Sequence, residues 1–209
     1  MLASPSQYYG ISLVELMISM TLGLASIAAA ASLMEHGITL NTTLLAQSRL
    51  EEEINAVVTV ISHDLKRAGY YAFTNEMVKK PSIHSNPFDN SLIIGAYAAE
   101  PANSCINFAY DRNKNGVLDT APNNEKYGFR LRDSAVEIRL DGAACNASGW
   151  HDLTDPKVVQ VTALNFDMEQ ATVQKITQTR VNIELRARLN KHPSISRIIN
   201  TSVLIENYE

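Results

Sequence analysis

The 209-residue sequence contains two cysteines, too few for a disulfide-dense miniprotein or a four-cysteine zinc site. It has no excess of basic residues, because 18 Lys and Arg stand against 22 Asp and Glu. Proteins that bind nucleic acid through bulk charge are normally basic, so we expect no nucleic-acid partner. The G-x-S-x-G, H-E-x-x-H, G-x-G-x-x-G and P-loop signatures are missing as well. The sequence therefore predicts a protein that is not an enzyme and that requires no cofactor.

Charge is nearly missing from residues 1–34, where Glu15 is the only acid or base. From Leu16 to Met34 the chain is uncharged; as a helix this run is about 28 Å long, close to the hydrocarbon thickness of a bilayer. A membrane anchor is therefore predicted. The alternative is a cleaved secretory signal peptide, although no Lys or Arg precedes the run and the run is long for a signal peptide.

Glu15 stands at the start of this apolar run. An acid inside a membrane segment is costly, which makes Glu15 a candidate functional residue. The alternative is a hydrated side chain at the membrane interface that has no role.

No proline lies between Pro5 and Pro81, so nothing in that span prevents a long helix. After the anchor, apolar residues recur with helical spacing at Leu50, Ile54, Val57, Ile61, Leu65 and Ala68. Gly69 follows them and is predicted to be the helix C-cap. We therefore predict one helix from Ile11 to Ala68. Its first part, 11–34, contains the predicted membrane anchor, and its second part, 35–69, packs on a globular domain.

The remaining residues, 70–209, predict an antiparallel sheet. Apolar and polar residues alternate strictly from Val181 to Leu189, as they do in a strand with one buried face. Further strands are predicted at 92–97, 105–110, 127–132, 135–140, 158–167 and 198–205, with a hairpin turn at Asp133-Ser134 and a loop over 74–90. One long helix followed by strands predicts an α+β fold.

The segment Gly10-Ile-Ser-Leu-Val-Glu-Leu-Met17 resembles the processing site of type IV pilins and type II secretion pseudopilins. In that family a prepilin peptidase cleaves after the glycine, and the new N-terminus is methylated. The resemblance implies a leader at 1–10, Ile11 as the first mature residue and Glu15 as the acidic fifth mature residue. It also implies that Glu15 pairs with the N-terminal amine of a neighbouring subunit during assembly. The chain departs from the family at Ile11, where Phe is usual, and in its leader, which lacks Lys and Arg.

The segment ISHDLKRAGYY, residues 61–71, resembles the helix end of PilW-like minor pilins, and looser similarities continue through Ser104-Cys105, 127–132 and Gly149-Trp150. The resemblance implies a type IV pilin fold and a structural minor pilin that helps prime pilus assembly at or near the tip. It implies that the chain is held in the bacterial inner membrane with residues 70–209 in the periplasm, and that it later reaches the cell surface. The implied partners are other minor pilins, the major pilin, the prepilin peptidase, the inner-membrane assembly machinery and membrane lipid. The alternatives are a type II secretion minor pseudopilin and a tip adhesin or DNA-uptake subunit.

Cys105 and Cys145 are the only thiols. In an exported domain they enter an oxidising compartment, where a structural disulfide is the default. The alternative is two buried free thiols.

The run from Asp111 to Asp119 matches the first nine positions of an EF-hand-type calcium loop. The candidate ligands are Asp111, Asn113, Asn115, the Val117 carbonyl and Asp119, and Gly116 permits the sharp turn. Position twelve is Pro122 and lacks the usual glutamate, although Glu125 lies nearby. The alternative is an Asn-Gly turn between two strands, which needs no metal.

Overall fold

The structure is a computed structural model that describes residues 10, 12–80, 85–173 and 176–206. Within these residues the chain forms two helices, α1 (Leu13–Leu65) and α2 (Thr74–Lys79). The strands follow as β1 (Ile93–Gly95), β2 (Cys105–Ala109), β3 (Lys126–Arg132), β4 (Ala135–Arg139), β5 (Trp150–Asp152), β6 (Val159–Val173), β7 (Ile176–Leu189) and β8 (Ser196–Ile205). One long N-terminal apolar helix with antiparallel sheets confirms the predicted α+β fold.

Residues 1–45 and residues 46–209 form two compact units, and α1 contributes to both. In the first unit, every described residue from 12 to 45 is exposed to solvent. In the second unit, α1 buries one stripe of apolar side chains: Leu50, Ile54, Val57, Val58, Ile61 and Leu65. The burial of this stripe agrees with the helical spacing of apolar residues in the sequence.

The helix ends at Leu65, three residues before the predicted end at Ala68. Its last turn tightens, because the backbone N–H groups of Arg67 and Ala68 donate to carbonyls three residues earlier. Ala68 remains fully buried in this turn. Gly69 follows with a φ of 76°, and its N–H donates to the Ala109 carbonyl at 2.9 Å. The glycine therefore closes a turn that attaches the helix end to β2.

The strands form two sheets rather than the single sheet that the sequence predicts. Five strands pair in the order β1-β2-β3-β4-β5, and three pair in the order β6-β7-β8. The backbone of β6 meets the first sheet at two turns, where Val161 N–H donates to Ser134 and Phe166 N–H donates to Asn103, both at 2.9 Å. Because these bonds reach turn carbonyls rather than a strand, they join the sheets without making a continuous ladder.

Two short elements differ from the sequence predictions. The six-residue α2 lies inside the segment predicted as a loop, and the three-residue β5 was not predicted. Both are too short for a helical or alternating pattern to be recognisable. The predicted β3–β4 hairpin is present, with Asp133 and Ser134 both at positive φ as a two-residue turn of the primed type requires.

One apolar core joins the buried stripe of α1 to the inner faces of both sheets. The first sheet contributes Phe108, Phe129, Leu131 and Val136, among others, and the second contributes Phe166, Ile183, Leu185 and Val203. A smaller cluster of Tyr71, Phe88 and Ala109 packs beside α2. The core fixes the positions of the loops that carry Cys145 and Asp111.

Candidate assembly site

The predicted processing point precedes the helix. Gly10 is exposed, and no atom lies within 4 Å of the position that a Cβ would take there. Ile11, the predicted first mature residue, lies outside the described residues. A peptidase needs an accessible, non-helical backbone, and Gly10 meets both conditions.

Glu15 lies in the first turn of α1, where a negative charge interacts favourably with the helix N-terminus. Its side chain is exposed, and within the described part of the chain its carboxylate has no hydrogen-bond or ion-pair partner. The Ser19 hydroxyl donates to the Glu15 main-chain carbonyl at 2.7 Å and leaves the carboxylate untouched. The carboxylate is therefore available to a cation from outside this unit.

Three hydroxyl side chains in the apolar part of α1 are bonded to the helix itself. Thr21 donates to the Ile18 carbonyl at 2.9 Å, and Ser26 donates to the Leu22 carbonyl at 2.8 Å, as Ser19 does to Glu15. Such bonds satisfy polar groups where no water is present. These three hydroxyls therefore need no partner in lipid or in a filament core.

The apolar surface of the first unit is large and uncovered. Leu13 is 75% exposed and Leu33 is 76% exposed. Among the described residues, α1 is the helix long and apolar enough to cross a membrane, with a mean hydropathy of 1.9 over its most apolar window and none of that window buried. Apolar surface of this extent marks contact with a membrane or with other proteins. The helix is therefore compatible with a membrane anchor.

A disulfide joins Cys105 on β2 to Cys145, with Cα atoms 6.1 Å apart and a sequence separation of 40. Cys105 is fully buried, and Asn107 Nδ2 lies 3.4 Å from the Cys145 Sγ. The bond attaches the loop between β4 and β5 to the start of β2 in the first sheet.

Arg130 also holds the loop between β4 and β5 in place. Its Nη1 donates to the main-chain carbonyls of Cys145 at 2.6 Å and Ala147 at 2.9 Å, and its Nε donates to Glu137. The guanidinium lies 4.5 Å from the centre of the Trp150 ring. This buried cation was missed in the sequence, although the register of a hairpin turning at Asp133-Ser134 places residues 130 and 137 opposite each other.

The loop over residues 111–119, here called the Asp111 loop, brings together the side chains whose oxygen atoms are the predicted calcium ligands. Asp111 is 1% exposed, and its carboxylate accepts hydrogen bonds from the main-chain N–H groups of Ala72 at 3.1 Å, Asn115 at 3.1 Å and Gly116 at 3.0 Å. Gly116 has a φ of 73°, and a Cβ there would lie 2.4 Å from the Phe73 ring. Glycine is therefore required at this turn.

The other side of the loop is closed by side chains. The amides of Asn113 and Asn115 donate to Asp119 Oδ2 at 2.6 and 2.9 Å. The buried Glu125 carboxylate accepts from the N–H groups of Arg112 at 2.7 Å and Asp119 at 3.2 Å. Across the described ranges, no group of three or more His, Cys, Asp or Glu side chains is arranged to hold a metal ion. Hydrogen bonds among its own groups hold the loop closed, and the Val117 N–H joins them by donating to Asn115 Oδ1 at 2.8 Å.

The chain is similar to the proteins of one known family. A sequence model of the family described as prepilin peptidase-dependent protein B matches residues 43–205. The chain is 23% identical to the prepilin peptidase-dependent protein B of Escherichia coli over 208 residues, which cover 98% of each protein. It is 24% identical to an uncharacterized protein of Haemophilus influenzae over 202 residues, which cover 78% of this chain and 82% of the relative. No solved structure matches it. The chain belongs to the prepilin peptidase-dependent protein B family, whose members are pilin-like proteins.

Proposed function

We propose that this protein is a structural pilus subunit that is cleaved after Gly10, held in the inner membrane by residues 11–34, and assembled through that helix. The observation that carries the proposal is the full exposure of an apolar helix over residues 12–45. Exposed apolar surface costs roughly 25 cal/mol per Å² in water, so this helix needs lipid or neighbouring helices around it. A subunit that moves from a membrane into a filament core meets each of these surroundings in turn.

Glu15 supplies the recognition step in this proposal. A carboxylate in apolar surroundings is tolerated when it meets a cation. Cleavage after Gly10 creates such a cation at the amine of Ile11, which a neighbouring subunit presents. The unpartnered Glu15 carboxylate supports this pairing, which would set the position of each subunit along the filament.

Two features of the folded unit support the proposed compartment and the proposed place in the assembly. A disulfide between Cys105 and Cys145 fits the oxidising periplasm. The PilW-like resemblance of residues 61–71 supports a minor pilin that primes assembly at or near the tip, together with other minor pilins and the major pilin. A type II secretion pseudopilin would share the processing and the Glu15 pairing but would have different neighbours.

The test is the N-terminus of the full chain expressed in bacteria with and without an active prepilin peptidase. We expect the intact mass to correspond to a chain that begins at an N-methylated Ile11 only when the peptidase is present, and that Gly10→Val blocks this change. Gly37→Ala is the matched control, because Gly37 also has no atom near the position of a Cβ but lies far from the cleavage point. A chain that keeps residues 1–10 beside an active peptidase would contradict the proposal.

A further inference from the structure

The loop between β4 and β5, residues 140–149, is held by hydrogen bonds that do not involve its sulfur atom. Arg139 at the end of β4 donates from Nε to the Ala143 carbonyl at 2.5 Å and from Nη2 to the Gly142 carbonyl at 2.6 Å. Its Nη1 donates to the Tyr127 carbonyl on β3 at 3.2 Å. One guanidinium therefore attaches the first half of the loop to the first sheet.

The second half of the loop is attached in the same way. Arg130 donates to the carbonyls of Cys145 and Ala147, and Trp150 Nε1 donates to the Ala144 carbonyl at 3.1 Å. Side chains of β3, β4 and β5 thus bind main-chain carbonyls on both sides of Cys145. Since none of these bonds needs the disulfide, we expect the loop to stay in place when both cysteines are thiols.

The two sulfur atoms differ in access to solvent. Cys105 is fully buried, whereas Cys145 is partly exposed. The cross-strand neighbours of Cys105 are Arg130 on β3 and Gly95 on β1, and Gly95 has no side chain that could cover it. A Cβ at Gly95 would lie 3.4 Å from Cys145 Sγ, so the loop occupies this space. The loop therefore covers Cys105 and leaves Cys145 on the outside.

We infer that the disulfide is made and broken in the folded unit by thiol–disulfide exchange that enters at Cys145 Sγ, with a disulfide oxidant as the co-reactant. The Cys145 thiolate attacks one sulfur of the oxidant and releases the other as a thiolate. The Cys105 thiolate then attacks Cys145 Sγ in this mixed disulfide and releases the second oxidant thiolate. Two electrons and two protons pass from the cysteine pair to the oxidant, which leaves as two thiols. The exchange requires neither cleavage after Gly10 nor assembly.

The same arrangement protects the finished bond. A reducing thiolate that attacks Cys145 Sγ displaces Cys105 as a thiolate, which the loop keeps beside the new mixed disulfide. Return of Cys105 to Cys145 is then an intramolecular step, which is favoured over attack by a second reductant molecule from solution. Reduction is therefore slow in the folded unit and becomes fast when the unit unfolds.

The experiment uses the full chain in detergent with oxidised glutathione as the probe, and intact mass measures the glutathione adduct. Cys105→Ala leaves Cys145 as the single thiol, and Cys145→Ala leaves Cys105. We expect Cys145 to react in native buffer within about tenfold of its rate in urea, and Cys105 to react at least about 100-fold more slowly than in urea, because a buried thiol reacts only when the unit opens. Equal protection of the two thiols, or greater protection of Cys145, would overturn the inference.

Attachment of the loop without the disulfide has its own test in the Cys145→Ala background. Adding Arg139→Met should speed the reaction of Cys105 about tenfold, since it frees the first half of the loop. Arg132→Met is the matched control, because Arg132 lies on the same face of β3 and contacts the Tyr97 ring, and none of the hydrogen bonds of the described residues joins it to the loop. Equal rates in the two variants would contradict the attachment. If Arg139→Met is unfolded in native buffer, Arg139→Lys gives the same comparison.

Oxidation of the unaltered chain tests whether folding comes first. The reduced chain should be folded before the oxidant is added, as shown by the fluorescence of Trp150. Its disulfide should then form at least about tenfold faster from the mixed disulfide in native buffer than in urea, because the loop holds the two sulfur atoms together. A reduced chain that is unfolded, or a bond that closes no faster in native buffer, would overturn the inference.

Discussion

Arg130 on β3 lies directly opposite Glu137 on β4, and its Nε donates to the Glu137 carboxylate inside the first sheet. The Arg130 side chain is 1% exposed and that of Glu137 is 10% exposed. Because Arg130 also donates to the Cys145 carbonyl, this ion pair supports the loop that carries the disulfide. A buried charge that loses its partner is strongly destabilising, even where the intact pair contributes little.

We expect Arg130→Met to lower the free energy of unfolding by about 3–5 kcal/mol, because it leaves the Glu137 carboxylate buried and unpaired. The double variant Arg130→Met/Glu137→Leu should recover part of this loss. Urea unfolding of the full chain in detergent, followed by the fluorescence of the single tryptophan, Trp150, measures the change. Arg186→Met is the control, since its pair with Glu184 is exposed and contributes less than about 1 kcal/mol. Equal effects of the two single variants would contradict the assignment.

Removal of the disulfide in Cys105→Ala/Cys145→Ala should destabilise the folded unit by about 3–4 kcal/mol in the chain-entropy model, given the length of the loop that it closes. Urea unfolding with and without a reductant measures this loss. The reductant should lower the midpoint of the unaltered chain and leave the double variant unaffected. A midpoint of the unaltered chain that ignores the reductant would show that the two thiols are not joined in solution.

Glu15→Gln should enter the membrane and be processed normally but should be found in filaments at about a tenth of the normal level or less, because the neutral amide cannot pair with a cation. The ratio of the sheared filament fraction to the membrane fraction measures this. Glu35→Gln removes an acid just beyond the uncharged run and serves as the control. Normal incorporation of Glu15→Gln would defeat the pairing hypothesis.

Asp111→Asn should destabilise the folded unit by about 1–3 kcal/mol, because the carboxylate accepts three main-chain hydrogen bonds and the amide nitrogen cannot accept any. Since the loop is closed by its own hydrogen bonds, we also expect the urea midpoint of the unaltered chain to be the same with calcium and with a chelator. A midpoint that rises with calcium, and no longer does so in Asp119→Asn, would instead support the calcium-loop prediction.

Because the Tyr110 side chain is buried, we expect the protein to lose stability in alkaline solution. Its ring is 4% exposed and stacks on Tyr127 with ring centres 4.1 Å apart, and burial raises the pKa of its hydroxyl well above the ordinary value. An acid whose pKa is raised by folding binds its proton more tightly in the folded state, so stability is retained below about pH 10 and falls as the pH rises above that value. Tyr110→Phe should make this fall less steep. Urea midpoints at about pH 8 and about pH 11 compare the two proteins; parallel falls would contradict the prediction.

The sequence predicted the long elements because their patterns extend over many residues. The buried stripe of α1 follows helical spacing from Leu50 to Leu65, and the alternation of β7 recurs in its burial. The division into two sheets was not predictable, because it depends on hydrogen bonds from β6 to turn carbonyls that are far away in sequence. The short β5 depends on pairing with β4 rather than on any local pattern.

In the candidate site, too, the features with a local sequence pattern were predictable and the tertiary contacts were not. Gly10 and Glu15 were predicted from a local motif, and the chain folds without bringing the Glu15 carboxylate to any described partner. The Asp111 loop was recognised by its spacing, but the roles of Ala72 and Glu125 in closing it depend on tertiary packing. Arg130 was missed because a lone arginine in a strand carries no local signal of burial. Its partner is found only after the hairpin register is fixed.

The hydroxyl groups of Ser19, Thr21 and Ser26 are hydrogen-bonded to main-chain carbonyls of α1 itself, so these bonds do not depend on what surrounds the helix. Under the proposed function, exchanging fatty acyl chains for the side chains of adjoining helices would neither break nor create a hydrogen bond at these three positions. In the proposed assembly, Glu15 would gain an ionic contact in the filament that the bilayer does not offer. That contact would then favour the filament over the membrane.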